Sequence, residues 1–320
     1  DLALEVSESL QKGDRQSKIP GVSIQRLEHK EDNIRIARVY IENDEGVTQM
    51  NKPKGTYITI ESPDMKENDP DAHAKIIQLF AKELSTLLPK TKNKSVLVVG
   101  LGNRNATPDA LGPKVAGKVV VTRHIKQKLP WQIDESVSEL SALVPGVMGI
   151  TGIETSEILS GVVSKVKPDY VIVVDALGSR SASRVNTTIQ INNVGIEPGA
   201  GIGNKRKAIN KDNIGCPVIA VGVPTVVDAA TLVNDMLDHL IDAMLSEAED
   251  QEFYQMLERL SEKEKYTLVK EILYPHIGDM FVTPKEIDEV IEYLSNIIAN
   301  GINIAVHPGI DMDDINRFKY

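Results

Sequence analysis

The sequence predicts an α/β protein. We expect a mainly parallel central sheet flanked by helices, with antiparallel strands attached at the N-terminus and helices at the C-terminus. Three observations carry this. Val96–Val99, Val171–Val174 and Val218–Val221 are short, continuous apolar runs rich in β-branched residues, each followed by Gly, Pro or Asp and then by helix-like sequence. Strands buried on both faces of a helix-covered parallel sheet read this way. The residues ahead of Ser95 are mixed and polar, and those after about 245 are charged with helical spacing. The chain therefore reads as one large α/β unit, with strands and a helix over 1–94, a core sheet over 95–245 and helices over 246–320.

In chain order, Asp1 to Gln11 fits a short amphipathic helix through Leu2, Leu4, Val6 and Leu10, and Lys12 to Pro20 reads as a linker. Ile34, Ile36, Val39 and Ile41 mark one strand and Tyr57, Ile58 and Ile60 another. Turn residues from Asn43 to Gly55 separate them, which predicts an antiparallel pair. Asp69-Pro70 supplies a cap and a first-turn proline for a helix with Ile76, Phe80, Leu84 and Leu87 on one face. Thr187 to Asn192 alternates polar and apolar, as an edge or antiparallel strand does. A helix is expected from about Thr225 to Leu245, with Val226, Ala230, Val233, Leu237, Leu240 and Met244 in its stripe. Ser261 with Glu264, and Thr283 with Glu286 behind Pro284, match capping boxes. The second opens a helix through Ile287, Val290, Ile291, Leu294 and Ile298, which Asn300-Gly301 should end.

Composition removes whole classes of function. The 320 residues are 41% hydrophobic and 26% charged, the proportions of a soluble globular protein. No apolar run is long enough to span a membrane, and Asp1 to Gln11 lacks the features of a signal peptide. A formal charge of −10 repels phosphate backbones, so no direct nucleic-acid partner is expected. Cys216 is the one cysteine, which excludes an intramolecular disulfide and a cysteine-based zinc cluster and fits a reducing, cytoplasmic setting.

Two stretches carry the strongest chemical signal. Val96 to Gly112 reads VLVVGLGNRNATPDALG, a buried strand entering Gly100 and Gly102 and leading through a polar loop to Asp109. The nucleotide fingerprint G-x-G-x-x-G fails, because Asn105 stands at its third glycine. Val171 to Arg180 reads VIVVDALGSR and sets Asp175 directly at a strand's carboxyl end. Taken singly, Asp109 suits a helix's first turn and Asp175 a bond to the next backbone turn. Together they can meet above one sheet and share a proton, as carboxylates split into base and acid do.

Between them, PGVMGITGIETSE over Pro145 to Glu157 has glycine spacing that lets backbone approach a peptide closely. Gly149, Thr151, Gly152, Glu154 and Thr155 are its candidate substrate-binding residues, with a capped flexible connection as the alternative. Glu197 to Lys205, EPGAGIGNK, lacks a phosphate loop's ending and reads as a substrate-contacting or mobile loop. No metal site or cofactor is expected. The six histidines form no H-E-x-x-H, and Asp235, His239 and Asp242 share a helical face that solvation explains. No serine sits in G-x-S-x-G, and Cys216 reads as packing.

At VGLGNRNATPDALGP and VIVVDALGSR the chain resembles the spore germination proteases, endopeptidases of spore-forming Firmicutes. The resemblance extends through PGVMGITGIET, NNVGIEPGAGIGNKR, VIAVGVPTVVDAATL and HIGDMFVTPKEID. It implies a phosphorylase/hydrolase-like fold shared with the hydrogenase maturation endopeptidases, a homotetramer, and a site in the spore core. The implied substrates are the small acid-soluble proteins that coat spore DNA, and the implied catalytic acids are Asp109 and Asp175. The maturation endopeptidases add a histidine to hold a metal. Here VGVPTVVDAATL offers none, which favours a metal-free aspartate mechanism with Asp109 as base and Asp175 as acid. The family is made as a self-processing zymogen and prefers an acidic residue, then a hydrophobe, then Ala around the cut. Asp1-Leu2-Ala3 fits, so the mature chain is expected to start at Leu2. Two other functions remain open on sequence: a peptidyl-tRNA hydrolase-like esterase, which also starts with V-G-L-G-N, and a non-enzymatic binder of spore DNA-coating proteins.

Overall fold

The computed structural model describes residues 2–11, 18–89, 94–199, 206–247 and 262–317. Among them, nine strands form one mixed sheet. The strands are β1 Val22–His29, β2 Ile34–Ile41, β3 Gly55–Glu61, β4 Ser95–Gly100, β5 Glu139–Leu143, β6 Tyr170–Ser179, β7 Thr188–Asn192, β8 Val218–Asp228 and β9 Phe281–Val282. The first six helices are α1 Ala3–Gln11, α2 Asp44–Met50, α3 Pro70–Leu87, α4 Leu111–Lys118, α5 Arg123–Lys128 and α6 Met148–Thr151. They are followed by α7 Thr155–Val166, α8 Lys211–Ile214, α9 Ala229–Glu247, α10 Glu262–Ile277, α11 Ile287–Val306 and α12 Met312–Arg317. Across the sheet the order is β1-β2-β3-β7-β8-β6-β4-β5, and β9 pairs with the end of β8.

The apolar runs build the centre, where β5, β4, β6 and β8 lie parallel. Side chains alternate along a strand. Val96 and Val98 therefore enter one core with Phe80 of α3, Val115 of α4 and Leu294 of α11. Leu97 and Val99 enter the opposite core with Leu159 and Val163 of α7. Each such side chain contributes about 1.5–3 kcal/mol by leaving water. Asp175, expected at the carboxyl end of its strand, lies inside β6, because pairing with β8 carries the strand on to Ser179.

The sheet is less parallel than expected. β1, β2, β3 and β7 are joined by antiparallel pairings, and β7 also pairs antiparallel with β8. The expected N-terminal pair is three strands, because β1 is a largely exposed edge with little apolar signal. Asn43 to Gly55 is more than a turn: the Asn43 side chain accepts from the Gly46 N–H at 3.0 Å and opens α2. β7 is antiparallel, as its alternation allows, but it is not an edge. It lies between β3 and β8, with Thr188, Gln190 and Asn192 buried despite their polarity.

Helix boundaries shift where pairing or packing overrides local signals. β8 continues to Asp228, so the helix expected from Thr225 starts at Ala229. Val226 and Val227 pair with Gly178 and Ser179 of β6, and Val227 also with Val282 of β9. Leu237 and Leu240 of its expected apolar stripe stay 40% and 52% exposed. The Thr283 capping box does not form. α11 starts at Ile287, and the Thr283 hydroxyl donates to the Thr225 carbonyl at 2.8 Å. Asn300-Gly301 does not end α11. Gly301 instead lets Phe80 rest on the helix backbone, where a Cβ would lie 2.1 Å from Phe80 Cδ1. α3 starts as predicted, with Asp69 accepting from the Asp71 and Ala72 N–H groups at 3.0 Å each. Ser261 and residues 12–17 of the expected linker lie outside the described residues.

Candidate active site

The chain leaves β4 toward β5 on one side and returns to β6 on the other, so its order reverses between β4 and β6. Beyond the carboxyl ends of such strands lies the ligand crevice of an open α/β sheet. Glycines close the backbone around it. A Cβ on Gly112 would lie 2.2 Å from the Leu101 carbonyl oxygen and 2.5 Å from that of Val174. One on Gly100 would lie 2.1 Å from the Gly112 carbonyl oxygen. This contact presses the start of α4 onto β4 and β6, and the Leu101 N–H donates to the Val174 carbonyl at 2.8 Å. Gly102, at φ +109°, turns the chain against Asp109, where a Cβ would lie 2.0 Å from the Asp109 carbonyl oxygen.

Asp109 and Asp175 meet above the sheet. Asp109 ends a short 3₁₀ turn, Thr107–Asp109, and its side chain does not cap α4. Its Oδ2 accepts from the Asn103 N–H at 2.7 Å. Asp175 is 6% exposed and its Oδ1 accepts from the Ala176 N–H at 3.0 Å. Burial pushes the Asp175 carboxyl up to about 8, the nearby Asp109 charge adds to the rise, and the Ala176 N–H opposes it. Burial also raises Asp109, opposed by the Asn103 N–H. Asp175 is the more buried of the two, and burial favours its neutral form. The pair can thus offer an anionic base beside a neutral acid.

The carboxyl groups face a cleft of about 630 Å³. It is lined by Leu101, Gly102 and Asp175–Gly178, by Gln190 and Asn192 of β7, and by Lys52 and the buried Tyr57. Sequence reasoning missed Lys52, Tyr57, Gln190, Asn192 and Arg206. The polar positions of β7 were the available signal, since a buried strand with polar side chains on one face must line something wet.

Of the expected substrate-binding residues, Thr155 lines the cleft, next to Gly146, Val147 and Met148. Gly149 and Gly152 have nothing within 4 Å of a Cβ position, which places them on the outer side of the rim. The Thr151 hydroxyl bonds within its own turn, to the Val147 and Ile153 carbonyls at 3.3 and 3.1 Å. Glu154 ties the rim to the next segment, accepting from the Lys207 N–H at 3.1 Å and pairing with Arg206 at 4.0 Å. Glu197, Pro198 and Gly199 line the cleft, and residues 200–205 lie outside the described residues.

Asp1 also lies outside them, whereas Leu2 is buried and its N–H donates to Glu5 Oε2 at 3.1 Å. The next N–H, of Ala3, donates to Gln190 Oε1 of the cleft wall at 2.7 Å. Among the described residues no three His, Cys, Asp or Glu side chains cluster as metal ligands would. Asp109 and Asp175 alone are an incomplete donor set. Asp235 accepts from the Ala182 N–H at 3.0 Å, so that face of α9 is not purely solvated, and His239 is exposed. Burial pushes the Cys216 thiol up to about 11, and its Sγ donates to the Pro168 carbonyl.

Comparison with known proteins decides the family. A profile described as germination protease matches residues 2–252 and 242–319. The chain belongs to the germination protease family. The Germination protease of Clostridium perfringens (strain SM101) is 49% identical over 319 residues, covering 99% of this chain and 98% of that protein. That of Caldanaerobacter subterraneus subsp. tengcongensis is 48% identical over 322 residues, covering 100% and 97%. That of Bacillus cereus (strain B4264) is 41% identical over 357 residues, covering 100% and 96%. As a member of this family the chain is an endopeptidase acting in spore germination. Among the described residues no helix is long and apolar enough to cross a membrane.

Proposed function

We propose that the chain hydrolyses peptide bonds of small acid-soluble spore proteins with Asp109 as general base and Asp175 as general acid. One observation carries this reading: two carboxyl groups share one crevice in environments that separate their proton affinities. Asp109 takes a proton from water as its oxygen attacks the scissile carbonyl carbon, and Asp175 gives its proton to the carbonyl oxygen. On collapse, a hydroxyl of the tetrahedral intermediate returns a proton to Asp175. Asp109 then passes its proton to the leaving amine, which resets the pair. Each positioned transfer contributes about 10²–10⁴-fold.

The same reading has the rim around Thr155 hold substrate backbone and the chain act as a homotetramer in the spore core. The exposed apolar residues of α9 and α10, such as Met236 and Ile272, support a protein contact there. It also has a zymogen cut between Asp1 and Leu2, supported by the anchoring of Ala3 on the cleft wall. The test is cleavage of a purified small acid-soluble spore protein by wild type, Asp109→Asn and Asp175→Asn, each with and without a chelator. Cutting by wild type alone, indifferent to chelator, is expected. Cutting by both variants places the site elsewhere, and loss with chelator puts a metal on the carboxylates.

A further inference from the structure

Two amide side chains in the middle of a sheet need a reason. Gln190 and Asn192 of β7 are both buried, and burying an amide is costly unless its polar atoms find partners. Their oxygens do. Gln190 Oε1 accepts from the Ala3 N–H at 2.7 Å, and Asn192 Oδ1 accepts from the Val194 and Gly195 N–H groups at 3.1 Å each. Since every one of these partners is a donor, the bonds also fix which end of each amide is oxygen. Gln190 Nε2 and Asn192 Nδ2 are left over, and among the described residues nothing accepts from either. Both side chains line the cleft.

The register relates these amides to the carboxyl groups. Gln190 pairs with Gly222 of β8, and Gly222 pairs with Asp175 of β6. Paired residues project to the same face, so Gln190 and Asp175 share one row, two strand spacings or about 10 Å apart. Gly222 between them has no side chain, and Leu177 lies over it, where a Cβ would be 2.4 Å from Leu177 Cδ1. Leu177 offers no acceptor, so the cleft itself leaves the two NH₂ groups to a ligand. Gln190 and Asn192 stand two residues apart on one face, about 6.6 Å along the strand. In an extended peptide, carbonyl groups pointing to one side repeat at the same interval.

From this we infer that Gln190 and Asn192 are substrate-binding residues that donate from Nε2 and Nδ2 to two backbone carbonyls of an extended polypeptide, two residues apart. The inference rests on the proposed peptidase site and names how that site holds the main chain, whatever the side chains. Bonds to carbonyls that do not react are made equally in the ground and transition states, so they act on KM more than on kcat.

The test uses a synthetic peptide spanning a cut that the chain makes in a small acid-soluble spore protein. It is compared with peptides in which each non-scissile amide in turn becomes a thioamide, which keeps the N–H but replaces the carbonyl oxygen with a weaker acceptor. With wild type, two positions separated by one residue should each lower kcat/KM roughly 2–10-fold, the range of a neutral hydrogen bond, through KM. Gln190→Met should lose the sensitivity at one of these positions and Asn192→Leu at the other, which a general loosening of the cleft would not do. If either variant does not fold, Gln190→Glu and Asn192→Asp take their place, because they keep the oxygen that accepts the internal N–H groups. Variants that keep both wild-type sensitivities overturn the inference, as does a wild type indifferent to every thioamide or sensitive at two adjacent positions. Binding of the same peptides to Asp109→Asn reads the pattern in Kd without turnover. A chain that binds with this pattern yet cuts nothing overturns the peptidase reading alone.

Discussion

Replacing Asp175 with Asn removes one proton site while keeping the shape of the side chain and an oxygen to accept the Ala176 N–H. The carboxyl of Asp175 rises from 3.8 to about 8 on folding, so its effect on stability runs opposite to that of a salt-bridged aspartate. Below about pH 4 folded and unfolded chains both hold the proton, and the residue is neutral in the balance. Between about 4 and 8 only the folded chain holds it, so stability falls as pH rises, by about 1.4 kcal/mol per pH unit. Above about 8 both states have released it and the loss levels off, at no more than about 6 kcal/mol. Asn carries no proton to lose. Asp175→Asn should therefore match wild type near pH 4 and exceed it by several kcal/mol at pH 8, while cleavage drops by at least about 10²-fold. Urea unfolding followed by far-ultraviolet circular dichroism across this range reads the difference directly. Parallel stability curves for the two proteins would refute the burial and charge argument, whatever happened to activity.

Three further perturbations test neighbouring steps. Asp109→Asn should abolish cleavage and also lower the proton affinity of Asp175, since its charge is one cause of that rise; the pH at which stability levels off should then move down. Gly112→Ala should cost about 1–3 kcal/mol and most of the activity without touching either carboxylate, because the new methyl meets the Leu101 and Val174 carbonyl oxygens. Equal kcat/KM for that variant and wild type would detach the glycine contact from the site. Gly301→Ala should destabilise through its collision with Phe80, and adding Phe80→Leu should recover part of the loss. Strict additivity of the two changes in a double-mutant cycle would show that they do not meet.

What was legible in the sequence follows from how local each signal is. The buried runs of β4, β6 and β8 announce themselves because both faces are apolar, and Asp109 and Asp175 stand out as the first acidic residues after two of them. β1 was illegible because an exposed edge needs no apolar pattern. Gly301 read as a helix stop because glycine's backbone freedom is a local property, whereas its use here depends on Phe80, which is far away in sequence. Likewise Lys52 carries no motif; only the turn at Asn51 and the bond from Tyr57 bring it to the cleft. Gln190 and Asn192 looked like the polar face of an edge strand, and became a cleft wall only because β3 and β8 flank them.

The two carboxyl groups differ because of where the chain carries them. Asp175 lies within β6, paired opposite Gly222 of β8, with most nearby backbone N–H groups already spent on strand pairing. The N–H it obtains is that of its own successor, Ala176, and burial dominates its proton affinity. Asp109 lies on a loop, where N–H groups are not committed to a ladder, and that of Asn103 reaches it at 2.7 Å. An anion is thus better served on the loop than on the strand. Interchanging the two environments should therefore interchange the roles. An Asn103→Pro substitution, which deletes the N–H that serves Asp109, should raise the proton affinity of Asp109 and weaken its service as base. In kcat/KM against pH, the acidic limb should move upward, and an unmoved limb would show that the loop N–H does not set the division between base and acid.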